Sequence, residues 1–191
     1  MRLRHGWSVM IRMEQIKSRV VYRNPWMVVR EDEIRRADGS PGLFGVVEKP
    51  DFAVILPRTQ DGFRMVEQYR YPIGRRAWEF PQGSWSHGAE GDQAALARRE
   101  LAEETGLRAA SLTHLGHLSG AYGYSTQGFD VYLATGLAEG EPDREASEQD
   151  MTHRAFTDAE ISEMIRRGSI VDASSLAALT LYRLTGSEGR W

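Results

Sequence analysis

The sequence predicts an α+β fold, on three observations. Its first half is a series of β-rich runs broken by Asp-Gly turns, its middle holds one well-delimited helix, and two further capped helices close the chain. Strands first, then helices interleaved with strands, is the order that defines the class. The length of 191 residues fits one large domain or at most two small ones.

The elements follow in order. Val20–Tyr22, Met27–Arg36 and Leu43–Glu48 are β-rich, the last two joined across Asp38-Gly39, a hairpin signal. Asp51–Leu56 and Phe63–Tyr71 repeat the pattern and predict a second hairpin across Asp61-Gly62; Pro72-Ile73-Gly74 then breaks the strand. Gly91-Asp92 supplies an N-cap, Ala94 through Glu104 are good helix formers, and Gly106 stands where a C′ glycine belongs. Leu112–Leu118 and Gly128–Ala134 read as strands, and Glu139–Asp150 as an acidic loop. Thr157-Asp158-Ala159-Glu160 is a capping box ahead of Ile161, Met164 and Ile165. Asp172 caps a last helix carrying Leu176, Leu179 and Leu184.

Composition narrows the chemistry. A chain of this size buries enough surface to fold without staples. Cysteine is absent, which excludes disulfides, Cys-ligated zinc, iron–sulfur clusters and a thiol nucleophile. With five scattered histidines, any metal ligands are expected to be carboxylates, which favours a hard ion such as Mg²⁺. The longest apolar run, Phe52–Leu56, is far too short to span a bilayer, and the basic N-terminus lacks the apolar core of a signal peptide. A soluble, cytoplasmic protein is expected. Met10 and Met13 are further possible starts, so the first dozen residues are either a native arm or an extension. The net charge of −3 hides an asymmetry: residues 1–36 carry nine Arg/Lys against four Asp/Glu, and residues 137–160 eight Asp/Glu against two Arg. Two solvated faces, or a basic surface for phosphates beside an acidic site for cations, both satisfy it.

The informative segment is Arg99-Glu100-Leu101-Ala102-Glu103-Glu104-Thr105-Gly106-Leu107. At about 100° per residue, Glu100, Glu103 and Glu104 fall in one helical sector. Three carboxylates there repel one another, and the last two lie at the helix C-terminus, where the dipole disfavours anions. Arg99 relieves only part of this. A bound divalent cation relieves all of it. Ala and Leu flank the carboxylates where a merely solvated face would carry Lys.

This segment resembles the Nudix box, G-x5-E-x7-R-E-U-x-E-E-x-G-U, with U a bulky aliphatic residue. Its second half is matched at Arg99, Glu100, Leu101, Glu103, Glu104, Gly106 and Leu107. The first half departs from the pattern. With Gly83 as the leading glycine, six residues precede Glu90 and eight more precede Arg99, two more than the family spacing in all. Holding the helix in register would instead put Trp85 and Gly91 at the Gly and Glu positions. Gly83 is preferred because Glu79-Phe80-Pro81-Gln82-Gly83 resembles the strand that leads into the box; Glu90 is left without an assigned role.

Similarity to the ADP-ribose pyrophosphatase branch spans nearly the whole chain: Asn24-Pro25-Trp26, Gln68-Tyr69-Arg70-Tyr71-Pro72, Trp78-Glu79-Phe80-Pro81 and Gly168-Ser169-Ile170-Val171-Asp172-Ala173. The resemblance implies a mixed β-sheet sandwiched between helices, with residues 1–50 an N-terminal, dimerising β-strand extension and 51–191 the hydrolase domain. It implies a homodimer that hydrolyses a nucleoside diphosphate-sugar to two monophosphates with Mg²⁺ (or Mn²⁺), without a membrane or nucleic-acid partner. Metal ligands would be Glu100, Glu103 and Glu104, with the backbone carbonyl of Gln82 a fourth and Arg99 orienting the carboxylates. The catalytic set would be Glu104, Glu103 and a loop base, Glu145 or Glu148, with Glu148 favoured. Arg70 and Glu79 would contact substrate, and Trp26 would stack on a base. His114 and His117, three apart in a β-like stretch, are not expected to converge on an ion.

Gln82 stands where that branch usually has alanine, as in relatives acting on dinucleoside polyphosphates or RNA 5′ ends. ADP-ribose is the first expectation. GDP-mannose, a dinucleoside polyphosphate, an RNA 5′ end, or a non-catalytic ADP-ribose-binding regulatory domain are the alternatives. A purely structural oligomerising protein explains neither the carboxylates nor the loop before them.

Overall fold

The computed structural model describes residues 13–85, 91–144 and 149–185. The described residues begin with an antiparallel meander of β1 (Glu14–Arg23), β2 (Val28–Arg35) and β3 (Pro41–Glu48). Asn24 sets the first turn: its Oδ1 accepts from the backbone of Trp26 at 2.9 Å and Met27 at 2.8 Å. Asp38 sets the second, accepting from Ser40 N at 3.0 Å, while Gly39 takes φ +84°, a conformation that favours glycine. Val47 at the end of β3 exchanges backbone hydrogen bonds with Tyr124 and Thr126, which ties the meander to the rest of the molecule.

The remaining strands form two sheets. The larger has the order β7 (Gln82–Ser84), β4 (Phe52–Pro57), β9 (Gly128–Ala138), β8 (Arg108–Ser119), with β4 and β9 parallel and the other pairs antiparallel. The smaller is antiparallel: β10 (Thr152–Thr157), β5 (Gly62–Arg70), β6 (Arg75–Glu79). β4 is buried on both faces, which accounts for its unbroken apolar run. Ala53 and Ile55 pack with Leu96, Ala97 and Leu101 of α1 (Gln93–Thr105). Val54 and Leu56 pack on the other side with Phe63, Phe80, Ile161 of α2 (Asp158–Arg166) and Leu179 of α3 (Ala173–Thr185). The expected sheet between helices is thus formed, each fully buried Leu or Ile contributing about 1.5–3 kcal/mol. Among the described residues no helix is long and apolar enough to cross a membrane.

One expectation fails. β4 and β5 do not form a hairpin across Asp61-Gly62. Thr59 N donates to Gly62 O at 2.9 Å and Arg58 bridges Phe63, but pairing stops there. Both edges of β4 are already taken by β7 and β9, so β5 leaves for the second sheet.

Candidate active site

α1 begins and ends where its sequence says it should. Asp92 accepts from the backbone of Ala94 and Ala95 at 3.3 and 3.1 Å, and Gly106 (φ +75°) returns its N–H to Ala102 O at 2.8 Å. Between these stops the helix lays its carboxylate face against β7. Glu104 is 0% exposed and Glu100 6% exposed, so two of the three glutamates are not on a solvated surface. Gln82 N donates to Glu104 Oε2 at 3.3 Å. The Glu100 carboxylate lies over Gly83, in the space that a side chain there would fill. Arg99 spans the other two positions, 2.8 Å from Glu100 Oε1 and 3.4 Å from Glu103 Oε2, and its guanidinium lies 4.8 Å from the centre of the Trp85 ring.

Beside β7 is a cavity of about 480 Å³. Gln82, Gly83 and Ser84 line it, with Lys49, Arg70, Glu79 and Asp172 as its charged groups. The α1 glutamates are not among the lining residues, but Glu104 is near enough to act electrostatically on Arg70. Arg70 and Glu79 are brought together by β5–β6 pairing as an ion pair, with Arg70 Nε 3.1 Å from Glu79 Oε2 and Gln68 Nε2 donating to Glu79 Oε1 at 2.9 Å. Burial pushes the Glu79 carboxyl above its ordinary range and Asp172 adds to this, against the pull of Arg70 and Gln68. Burial acts against the Arg70 charge, but the bonds to Glu79 outweigh it and the guanidinium is held above its usual range. The Glu79 carboxylate orients the Arg70 guanidinium at the cavity, which suits the fork to meet a polar, anionic ligand.

The sequence-derived residues divide accordingly. Gln82, Arg70 and Glu79 line one cavity, and Glu100 and Glu104 abut its wall. Trp26 is 69% exposed on the N-terminal sheet and does not line the cavity. Glu90, Glu145 and Glu148 lie outside the described residues. Asp172 was legible only as a helix cap, a role it fills through Ser175 N at 2.8 Å, yet it also faces the cavity. No motif marks Lys49. His114 and His117 both reach Asp130, at 2.7 and 3.3 Å, where a register shift between His114 and Gly116 interrupts the strand alternation. Among the described residues, no three His, Asp or Glu side chains form a ready-made metal cage.

The donor chemistry nonetheless fits a hard divalent ion. Mg²⁺ is usually held by one or two carboxylates together with waters and substrate phosphates, not by an all-protein cage. Glu100, Glu103 and Glu104 on one helix face, beside a cavity with Lys49, Arg70, Glu79 and Asp172 in its lining, are donors of the type that half of the coordination needs.

Comparison with known proteins agrees with this geometry. A model of the nucleoside diphosphate sugar hydrolase N-terminal domain matches residues 13–47, and a NUDIX domain model matches residues 48–177. The chain is 36% identical over 168 residues to the ADP-ribose pyrophosphatase of Mycobacterium tuberculosis, covering 87% of this chain and 81% of that protein. It is 28% identical over 155 residues to the ADP-ribose pyrophosphatase of Bacillus subtilis, covering 80% and 83%. To the methanol dehydrogenase activator of Bacillus methanolicus it is 26% identical over 171 residues, covering 88% and 91%. The crystal structure of an ADP compounds hydrolase superposes with a TM-score of 0.80 at 21% identity, covering 96% of this chain and all of the other, which is a likeness of fold. With the box residues on α1 and the NUDIX domain model matching most of its length, the chain belongs to the Nudix hydrolase family.

Proposed function

We propose that this protein hydrolyses the diphosphate of a nucleoside diphosphate-sugar, ADP-ribose first, giving AMP and ribose 5-phosphate. The observation that carries the proposal is the carboxylate face of α1 abutting β7, a strand that also lines the cavity holding the Arg70–Glu79 pair. The two relatives described as ADP-ribose pyrophosphatases support the choice of substrate.

Glu100, Glu103 and Glu104 would hold Mg²⁺, or Mn²⁺ in its place, with the Gln82 carbonyl as a further oxygen donor. Such an ion supplies positive charge to the diphosphate oxygens and acidifies the attacking water. Arg99 holds Glu100 and Glu103 in place. Arg70 and Lys49 attract the substrate anion, and Glu79 fixes the Arg70 fork. Water adds at one phosphorus, the bridging P–O bond breaks, and the proton goes to a loop carboxylate, Glu148 in preference to Glu145. The protein is proposed to be a cytoplasmic homodimer built through residues 1–50. Support for the dimer is β1, exposed along its whole length with Ile16, Val20, Val21 and Tyr22 outward. Trp26, exposed on the same sheet, is proposed to stack on the base in that dimer.

The test is a hydrolysis screen with Mg²⁺ over ADP-ribose, GDP-mannose, dinucleoside polyphosphates and capped RNA, with products identified. Glu104→Gln is expected to keep the fold and lose turnover by about 10²-fold or more. Full kcat in that variant, or cleavage of ADP-ribose slower than of every other substrate, refutes the proposal.

A further inference from the structure

Gln82 uses its two ends differently. Its backbone N–H donates to Glu104 on α1, and its side-chain Nε2 donates to Asp172 Oδ2 at 3.2 Å. Asp172 also accepts from Ser175 N at 2.8 Å and from Ser174 Oγ at 2.9 Å, at the start of α3. Both Gln82 and Asp172 line the cavity. An anion entering it meets attraction from Lys49 and Arg70 and repulsion from Glu79 and Asp172. Arg70 answers Glu79. Arg70 acts on Asp172 only at longer range, no cation forms an ion pair with it among the described residues, and its cavity-side hydrogen-bond partner is the neutral Gln82 amide.

We propose that the Gln82 side chain is a positioning residue for the anionic substrate: its amide screens Asp172 from the substrate phosphates and holds the α3 N-terminus against β7. This rests on the diphosphatase function proposed above. The amide shares the Oδ2 charge with Ser175 N, so that oxygen presents less negative potential to the cavity. An alanine at position 82 would leave Asp172 turned to the phosphates. A glutamate, of the same shape, would set two carboxylates face to face.

The test uses the full chain with Gln82→Ala, Gln82→Glu, Asp172→Asn and the double variant Gln82→Glu/Asp172→Asn. The Asn can keep the helix cap through its Oδ1, and the double variant has the wild-type net charge with carboxylate and amide exchanged between the two positions. ADP-ribose and AMP binding are measured by calorimetry in EDTA, and KM and kcat with Mg²⁺. Gln82→Glu is expected to weaken Kd and raise KM by about tenfold, and Gln82→Ala by about threefold. The double variant should return to within about threefold of wild type, with kcat moving less than KM because every variant keeps the backbone bond to Glu104. A Gln82→Glu Kd within about twofold of wild type, or a double variant no better than Gln82→Glu, overturns the proposal. If Gln82→Glu does not fold, an unchanged KM in Gln82→Ala overturns it instead. A wild type that shows this Kd series without cleaving ADP-ribose refutes the diphosphatase function and leaves Gln82 standing. Wild-type cleavage with unchanged variants refutes Gln82 alone, and a wild type that binds neither probe refutes both.

Discussion

Gly83→Ala separates the cost to the fold from the cost to the site. Gly83 does not need a positive φ, so its backbone accepts alanine without strain. What a methyl group would meet is the Glu100 carboxylate. Its more distant oxygen, Oε1, would lie 2.8 Å away and the rest closer, against 3.4 Å for ordinary contact. Its nearer oxygen, Oε2, sets the shift, and Glu100 must retreat by on the order of 1 Å. The obstacle is the end of a flexible side chain, so the loss of stability is expected to be about 1 kcal/mol or less, partly offset by the lower entropy of the unfolded alanine chain. A misplacement of about 1 Å in a catalytic constellation costs about 10²-fold in rate. The assay is kcat/KM with Mg²⁺ alongside urea unfolding, with Mn²⁺ affinity as an independent reading of the carboxylates. A variant that keeps kcat/KM within about threefold of wild type at native stability would refute the idea that the Glu100 position matters.

Other perturbations have equally definite outcomes. Arg70→Ala leaves Glu79, 2% exposed, with Gln68 as its one side-chain donor among the described residues, and should cost about 1–3 kcal/mol by urea denaturation. Thr157 accepts from Glu160 N at 3.2 Å while its own N–H donates to Glu160 Oε2 at 2.8 Å. Thr157→Ala should cost about 1 kcal/mol, or about 2–4 °C in calorimetric Tm, without changing kcat. Burial, with Arg64 and Arg144, pushes the His153 imidazole below its ordinary value near 6.5, against Glu139. Below that value the unfolded chain binds a proton that the native state refuses, so this contribution to stability is lost as pH falls through the window. Tm is accordingly expected to fall less steeply between pH 7 and 5 in His153→Gln, and an identical slope would count against this assignment.

The features readable in the sequence were local ones. Asp92, Gly106 and the Thr157–Glu160 box act on neighbours three or four residues away, and the structure has them as expected. Glu100, Glu103 and Glu104 share a sector because helical geometry alone fixes it. Partners across sheets were not readable. β10 buries only Phe156, too weak an alternation to announce a strand, and β6 shows arginines outward at two of its five positions. The closeness of Arg70 to Glu79 depends on β5–β6 register, and the role of Asp172 on a contact with Gln82 ninety residues away. Two histidines reach one aspartate where a register shift near Gly116 interrupts the strand alternation.

The parallel pairing of β4 with β9 also sets an order of assembly. Phe52 pairs with Phe129, and the chain between them carries β5, β6, β7, α1 and β8. Contacts so distant in sequence form late, because a long loop must close before they return any energy. β7 has only β4 to pair with, and α1 packs against both. During refolding, helical signal should therefore recover before the cavity can bind anything, and a chain arrested at that stage would look folded by its backbone while remaining inert.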